Sequence, residues 1–163
     1  MRLEGEGKLP SPVVFQIVLQ AAKALAKAHD LGIVHRDMKP SNVFLTDLEG
    51  EVFVKILDFG IAKMSNDDLL MSMTQTGAVI GTPYFMAPEQ MTSAKDAGPP
   101  SDVWSLGVIA YRALTGRLPY ESETLAGLAM AIERGNFPAP STLVEGLPVG
   151  VDEWFKRAIA KDP

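Results

Sequence analysis

A chain of 163 residues that is 47% hydrophobic is long enough to close one domain around its own core, and a charged share of 21% excludes bulk disorder. The formal net charge of −5 argues against a general nucleic-acid binder, and the lack of cysteine excludes disulfides and thiolate metal sites. No apolar run reaches the roughly 18 residues of a membrane span, because Gln20, Lys23 and Arg112 break the longest stretches. Residues 1–6 lack the apolar block of a signal peptide, so the expectation is a soluble, cytoplasmic domain.

Taken in chain order, Ser11 before Pro12 reads as an N-cap followed by a proline at the first helical position. Val14, Ile17, Val18, Ala21, Leu25 and Ala28 then recur at helical spacing, and Gly32 supplies a stop. Short β-rich pieces follow at Ile33-Val34, Val43-Phe44-Leu45 and Val52 to Leu57, with a turn around Asp47 to Gly50 joining the last two. Lys63 to Ala78 is polar, Met-rich and Ser/Thr-bearing with little periodicity, which predicts a long loop of the kind that tends to be functional or mobile. Pro99-Pro100-Ser101-Asp102 opens a helix, Val103 to Thr115, that is apolar on most faces and therefore predicted to be buried; Gly116 closes it. Amphipathic helices are expected around Thr124 to Arg134 and Val151 to Lys161, with Pro138, Pro140 and Pro148 marking loop between them. There is no internal repeat, and the overall expectation is an α+β, mainly helical domain with a few short hairpins.

Three motifs carry the chemistry. The run His35-Arg36-Asp37-Met38-Lys39-Pro40-Ser41-Asn42 is followed by Asp58-Phe59-Gly60 and then by Ala87-Pro88-Glu89. Together they set out a carboxylate, a lysine, an amide and a second carboxylate in the order that suits a metal-bound polyphosphate and a hydroxyl nucleophile. Phosphoryl transfer from ATP asks a protein for positioning and charge neutralisation more than for covalent work. Asp37 is the candidate base or hydroxyl-orienting group, and Lys39 a cation for the γ-phosphoryl. Asn42 offers a neutral oxygen and Asp58 a hard carboxylate, the ligand types that Mg²⁺ (or Mn²⁺) shares with phosphate. Each piece alone is common, since Asp-Phe-Gly is usually a turn; the joint order and spacing is the specific signal. His29 and His35 have no partner set for zinc.

On these residues the chain resembles the large, C-terminal lobe of a bacterial eukaryotic-like (Hanks-type) serine/threonine protein kinase, from about Leu9 to Pro163. The resemblance implies a protein-kinase-like fold with short hairpins at the cleft, and a phosphotransferase acting on Ser/Thr hydroxyls of protein substrates. It makes His35 and Phe59 structural, His35 packing under Phe59. Asp102 gains a role beyond favouring the helix dipole: anchoring the backbone of the His35-Arg36-Asp37 loop. Phe44 falls where the family places the apolar floor under adenine, though on sequence alone it is an inward strand residue. Gly81-Thr82-Pro83-Tyr84 resembles the Ser/Thr branch, in which the Thr82 hydroxyl bridges Asp37 and Lys39; Ile61 leans the acceptor toward threonine. Arg36 marks the subtype whose arginine pairs with a phosphorylated loop, and Thr74 and Thr76, with Ser72 behind them, are the candidate sites.

The chain also departs from the family. The glycine-rich loop, the strand lysine and its glutamate partner are missing, and Gly5-Glu6-Gly7-Lys8 is no substitute. The expectation is a partial kinase domain over 1–163, lacking the upper lobe and the final helix, inactive alone and completed by an upper lobe from elsewhere. Glu89 of Ala-Pro-Glu is expected to lack the arginine with which it pairs in the family, and the uncovered cleft floor is expected to be a sticky surface. The alternative is a non-catalytic module that docks partners or regulates a complete kinase. A small-molecule phosphotransferase fits less well, because those enzymes lack the segment from Thr82 to Glu89.

Overall fold

The computed structural model describes residues 3–5, 7–48, 51–59 and 82–161. Helix α1 (Ser11–His29) buries Val14, Ile17, Ala21, Leu25 and Ala28, the positions that share one face at a 3.6-residue period. It starts one residue earlier than the N-cap reading: Pro10 holds the cap position and Ser11 is already helical. Pro12 is tolerated there because first-turn N–H groups have no intrahelical partner to lose. Gly32, at φ 74°, turns the chain after the helix. Ile33-Val34 is not a strand; the Ile33 N–H folds back to the Ala28 carbonyl at 2.9 Å instead of entering a ladder.

Strands β1 (Val43–Leu48) and β2 (Glu51–Ile56) form an antiparallel hairpin with Val43 opposite Ile56 and Leu45 opposite Val54. Those four side chains share the core face, so Phe44 and Phe53 fall on the other one. The outer edge of β2 is closed by a side chain. Gln20 of α1 donates from Nε2 to the Val52 carbonyl at 2.7 Å and accepts the Val54 N–H on Oε1 at 2.9 Å. The polar residue that interrupts the apolar stretch of α1 is thus a surrogate strand for an otherwise open edge.

Beyond residue 81 come α2 (Pro88–Thr92), α3 (Pro99–Thr115), α4 (Leu125–Arg134) and α5 (Val151–Ala158). Helix α3 is buried on nearly every face and forms the axis of the lobe, as its apolar pattern predicts. Gly107 lets the tail of α5 touch it: a Cβ there would lie 2.7 Å from Ile159 Cγ2. Helix α5 ends three residues short of the expected Lys161 because Ile159 leaves the helical conformation and is buried. Thr124 caps α4, its Oγ1 accepting the Gly127 N–H at 3.1 Å. Around α3, Tyr111 meets Phe137 and Phe155 edge to face at 5.7 and 5.6 Å, and its hydroxyl donates to the Pro138 carbonyl at 2.8 Å. Burial pushes the Tyr120 hydroxyl up to about 12, with Tyr111 adding to the shift.

Candidate active site

Residues 35–42 form a loop whose backbone is held by buried side chains from distant parts of the chain. Asp102, in the first turn of α3 and only 1% exposed, takes three N–H groups on its two oxygens. Oδ2 accepts the His35 N–H and His29 Nε2, both at 2.8 Å, while Oδ1 accepts the Arg36 N–H at 2.9 Å. The carboxylate is satisfied in a place where an unpaired charge would be costly. Arg36 needs this support. Its φ of 64° is left-handed, a conformation that costs a residue with a Cβ about 1–2 kcal/mol. From α2, Gln90 Nε2 donates to the Arg36 carbonyl at 2.9 Å.

His35 is fully buried and its ring is used on both nitrogens. Nε2 donates to the Leu57 carbonyl at 2.9 Å, which leaves Nδ1 to accept the Asp37 N–H at 3.3 Å. The ring lies 4.8 Å from that of Phe59, so the loop and the Asp58-Phe59 segment are packed through this histidine. Lys39 Nζ stands 3.0 Å from Asp37 Oδ2; the two side chains are 23% and 11% exposed. Asn42 Nδ2 donates to the Asp37 carbonyl at 2.8 Å and lies 3.4 Å from Asp37 Oδ2. The Leu57 N–H in turn donates to the Asn42 carbonyl at 2.9 Å, bringing the residue before Asp58 to the loop. Asp58 is exposed and left-handed, with φ 54°. Strained positions at Arg36 and Asp58 bracket the loop, where such strain tends to gather at working sites.

The structure therefore brings together Asp37, Lys39 and Asn42, and ties Asp58 to them through Leu57. With Nδ2 committed to Asp37, the oxygen that Asn42 has for a cation is Oδ1. One amide oxygen and one exposed carboxylate suit a Mg²⁺ ion that takes its remaining oxygens from phosphate and water. Among the described residues, no group of three or more His, Cys, Asp or Glu side chains could hold a metal by itself. Phe44 is half-buried, on the hairpin face turned from the core. The backbone of Thr82 opens the 3-10 turn Thr82–Phe85, while its side chain, like Thr74, Thr76, Ser72 and Ile61, lies outside the described residues. Glu89 does find a partner in this chain: the Ser101 hydroxyl donates to it while accepting the Gly98 N–H at 3.1 Å.

Two residues of the site escaped the sequence reading. For His29 the sequence raises only the question of zinc, and its bond to Asp102 spans 73 positions with no local signal. Gln90 did have one: a glutamine three residues after Ala87 and two after Pro88 fits a helix start. Its Oε1 accepts the Ala87 N–H at 3.1 Å, as such a residue does. A groove of about 750 Å³ lies elsewhere, between α1, α3 and α5, and contains none of Asp37, Lys39, Asn42 or Asp58.

A helical lobe built around a buried axial helix, with one short hairpin and a pinned His-Arg-Asp loop, is the C-terminal lobe of the protein kinase fold. The comparisons agree. The family model described as "Protein kinase domain" matches residues 2–143, and the chain belongs to that family. It is 43% identical over 156 residues to serine/threonine-protein kinase Pkn1 of Myxococcus xanthus, covering 95% of this chain and 22% of that one. It is 37% identical over 161 residues to PknE of Mycobacterium tuberculosis, covering 99% and 27%. The crystal structure of Rad53 1-466 in complex with AMP-PNP superposes with a TM-score of 0.74 at 26% identity, over 99% of this chain and 38% of that one. These relatives place the chain among bacterial kinases of the Hanks type. It spans about a quarter of the length of the curated relatives it matches.

Proposed function

We propose that this lobe carries the lower half of an ATP-dependent protein serine/threonine phosphotransferase site. Asp37 orients the acceptor hydroxyl and takes its proton as oxygen attacks the γ-phosphorus and ADP leaves. Lys39, held 3.0 Å from that carboxylate, stays beside the phosphoryl oxygens as their charge shifts. Asn42 and Asp58 would hold Mg²⁺, which when bound would neutralise phosphate charge. The Thr82 hydroxyl bridges Asp37 and Lys39, Phe44 floors the adenine site, and Arg36 pairs with phosphate on Thr74 or Thr76. The observation that carries the reading is the backbone grip on residues 35–37, because a strained loop clamped by Asp102, Gln90 and His35 presents Asp37 in a single geometry.

Residues 1–163 carry the lower-lobe motifs and no glycine-rich loop or strand-lysine motif, so on this reading phosphotransfer needs an upper lobe beside them. The test is a fusion that supplies a matching upper lobe. Phosphotransfer to a Ser/Thr peptide with Mg-ATP should appear in the fusion and be negligible without it. Asp37→Asn should then lower kcat on the order of 10²–10⁴-fold, the range of a general base. A fusion that binds Mg-ATP but transfers nothing would sink the assignment.

One observation favours a docking role as a second reading. The groove between α1, α3 and α5 is almost wholly apolar, and Leu19, Val103 and Val149 on its walls are exposed. A stable one-to-one complex without phosphotransfer would favour that reading over the first.

A further inference from the structure

We propose that Gln90 is a positioning residue that ties the Asp37 loop to the segment 82–90, so that both move as one body. Its consequence for catalysis rests on the phosphotransferase reading; its geometry does not. Gln90 is 4% exposed, and both ends of its amide are used. Oε1 accepts the Ala87 N–H at 3.1 Å, and Nε2 donates to the Arg36 carbonyl at 2.9 Å. That carbonyl belongs to the peptide joining Arg36 to Asp37. The Arg36 N–H is taken by Asp102 of α3. The left-handed residue is thus gripped on both sides, from two different helices.

The segment that Gln90 terminates is anchored in its own right. Ser105 Oγ of α3 donates to the Phe85 carbonyl at 2.6 Å, and the Tyr84 hydroxyl donates to the Ser122 carbonyl at 2.9 Å, ahead of α4. A displacement of this segment therefore reaches the Asp37 backbone through the Gln90 amide. A helix-start cap needs only the Oε1 half of the arrangement. The Nε2 bond, across 54 residues, is what a cap does not explain.

Two variants separate the halves. Gln90→Glu keeps an acceptor for Ala87 but sets a carboxylate oxygen against the Arg36 carbonyl; Gln90→Met removes both bonds at similar volume. Amide hydrogen exchange on the 163-residue chain needs no catalysis to read them. Gln90→Met should speed exchange at Ala87, Arg36 and Asp37 by roughly tenfold, the worth of one such hydrogen bond. Gln90→Glu should leave Ala87 protected while Arg36 and Asp37 speed up by a similar factor. If Gln90→Glu leaves Arg36 and Asp37 at wild-type rates, the residue is only a cap and the proposal is overturned.

Kinetics of the fused protein supply the second arm. Gln90→Glu should lower kcat for peptide phosphorylation with the KM for ATP unchanged. An unchanged kcat in an active fusion overturns the positioning role. A wild-type fusion that is inert removes the phosphotransferase reading instead, and the exchange data alone then decide whether Gln90 couples the two segments.

Discussion

Asp102 has its two oxygens met by three N–H groups at 2.8 to 2.9 Å, and a neutral amide could not do the same work. In Asp102→Asn one oxygen is replaced by an NH₂ that faces N–H donors, so at least one buried backbone group loses its acceptor. The expected cost is about 2–4 kcal/mol in urea unfolding. His29→Ala removes a single donor from the same carboxylate and should cost less, about 1–2 kcal/mol. Equal losses for the two would mean that the backbone bonds to Asp102 contribute little. His35 and Asp37 could be picked out from motif order, because their spacing is local, and Asp102 from its place at a helix start together with the family resemblance, since its bonds to the loop span 66 and 67 positions. His29 could not, because nothing near it in the chain announces a partner 73 residues away.

Each element depends on a contact that its own period does not encode. For β2 it is Gln20, whose amide occupies Val52 and Val54 on the edge away from β1. Gln20→Ala should cost about 1–2 kcal/mol and speed amide exchange at Val54; an unchanged Val54 would show that the edge bond is idle. For α3 and α5 it is the close approach at Gly107. Gly107→Ala puts a methyl 2.7 Å from Ile159 Cγ2 and should cost about 1–3 kcal/mol. Ile159→Ala in the same chain should relieve part of that cost, so the pair should be less than additive. For the start of α5 it is Asp152, which accepts Ser141 Oγ and the Ser141 N–H. Those bonds hold the Asp152 carboxyl below its ordinary value, the hydroxyl being the larger cause. A lowered folded pKa means that the stabilisation is present above the unfolded value of about 3.9 and is lost as pH falls through the folded one. The bonds lie at the surface, so the acid loss should be only a few tenths of a kcal/mol, and Ser141→Ala should reduce it without abolishing it, because the backbone N–H bond remains.

At the scale of the whole lobe, the described residues add an apolar groove to the cleft floor expected from the sequence. The cleft floor was expected to be the sticky face; there Phe44 is half-buried and Phe53 exposed on the hairpin. A second feature is the groove of about 750 Å³ between α1, α3 and α5, with Arg157 and His29 on its otherwise apolar walls. Val103→Lys should reduce binding of a hydrophobic dye to the isolated chain. Because the side chain is exposed, stability should move by no more than about 0.5 kcal/mol. Unchanged dye binding would place the sticky face at the hairpin after all. Among the described residues, no helix is long and apolar enough to cross a membrane.

The amino-acid sequence by itself determined helices α1, α3, α4 and α5, the hairpin and the order of the site residues, but not the short α2. Those features follow from hydrophobic period, Pro and Gly punctuation and motif spacing, all of which act over a few residues. Helix α3 could be read as the buried axis because nearly every face of it is apolar. Beyond the Asp102 anchor that the resemblance implied, tertiary structure alone decided the long-range bonds: His29 to Asp102, Gln90 to Arg36, Gln20 to β2, and Ser101 to Glu89. A hydrogen bond between side chains of distant segments leaves no period in the sequence. Its worth comes from burial, which exists only once the chain has closed.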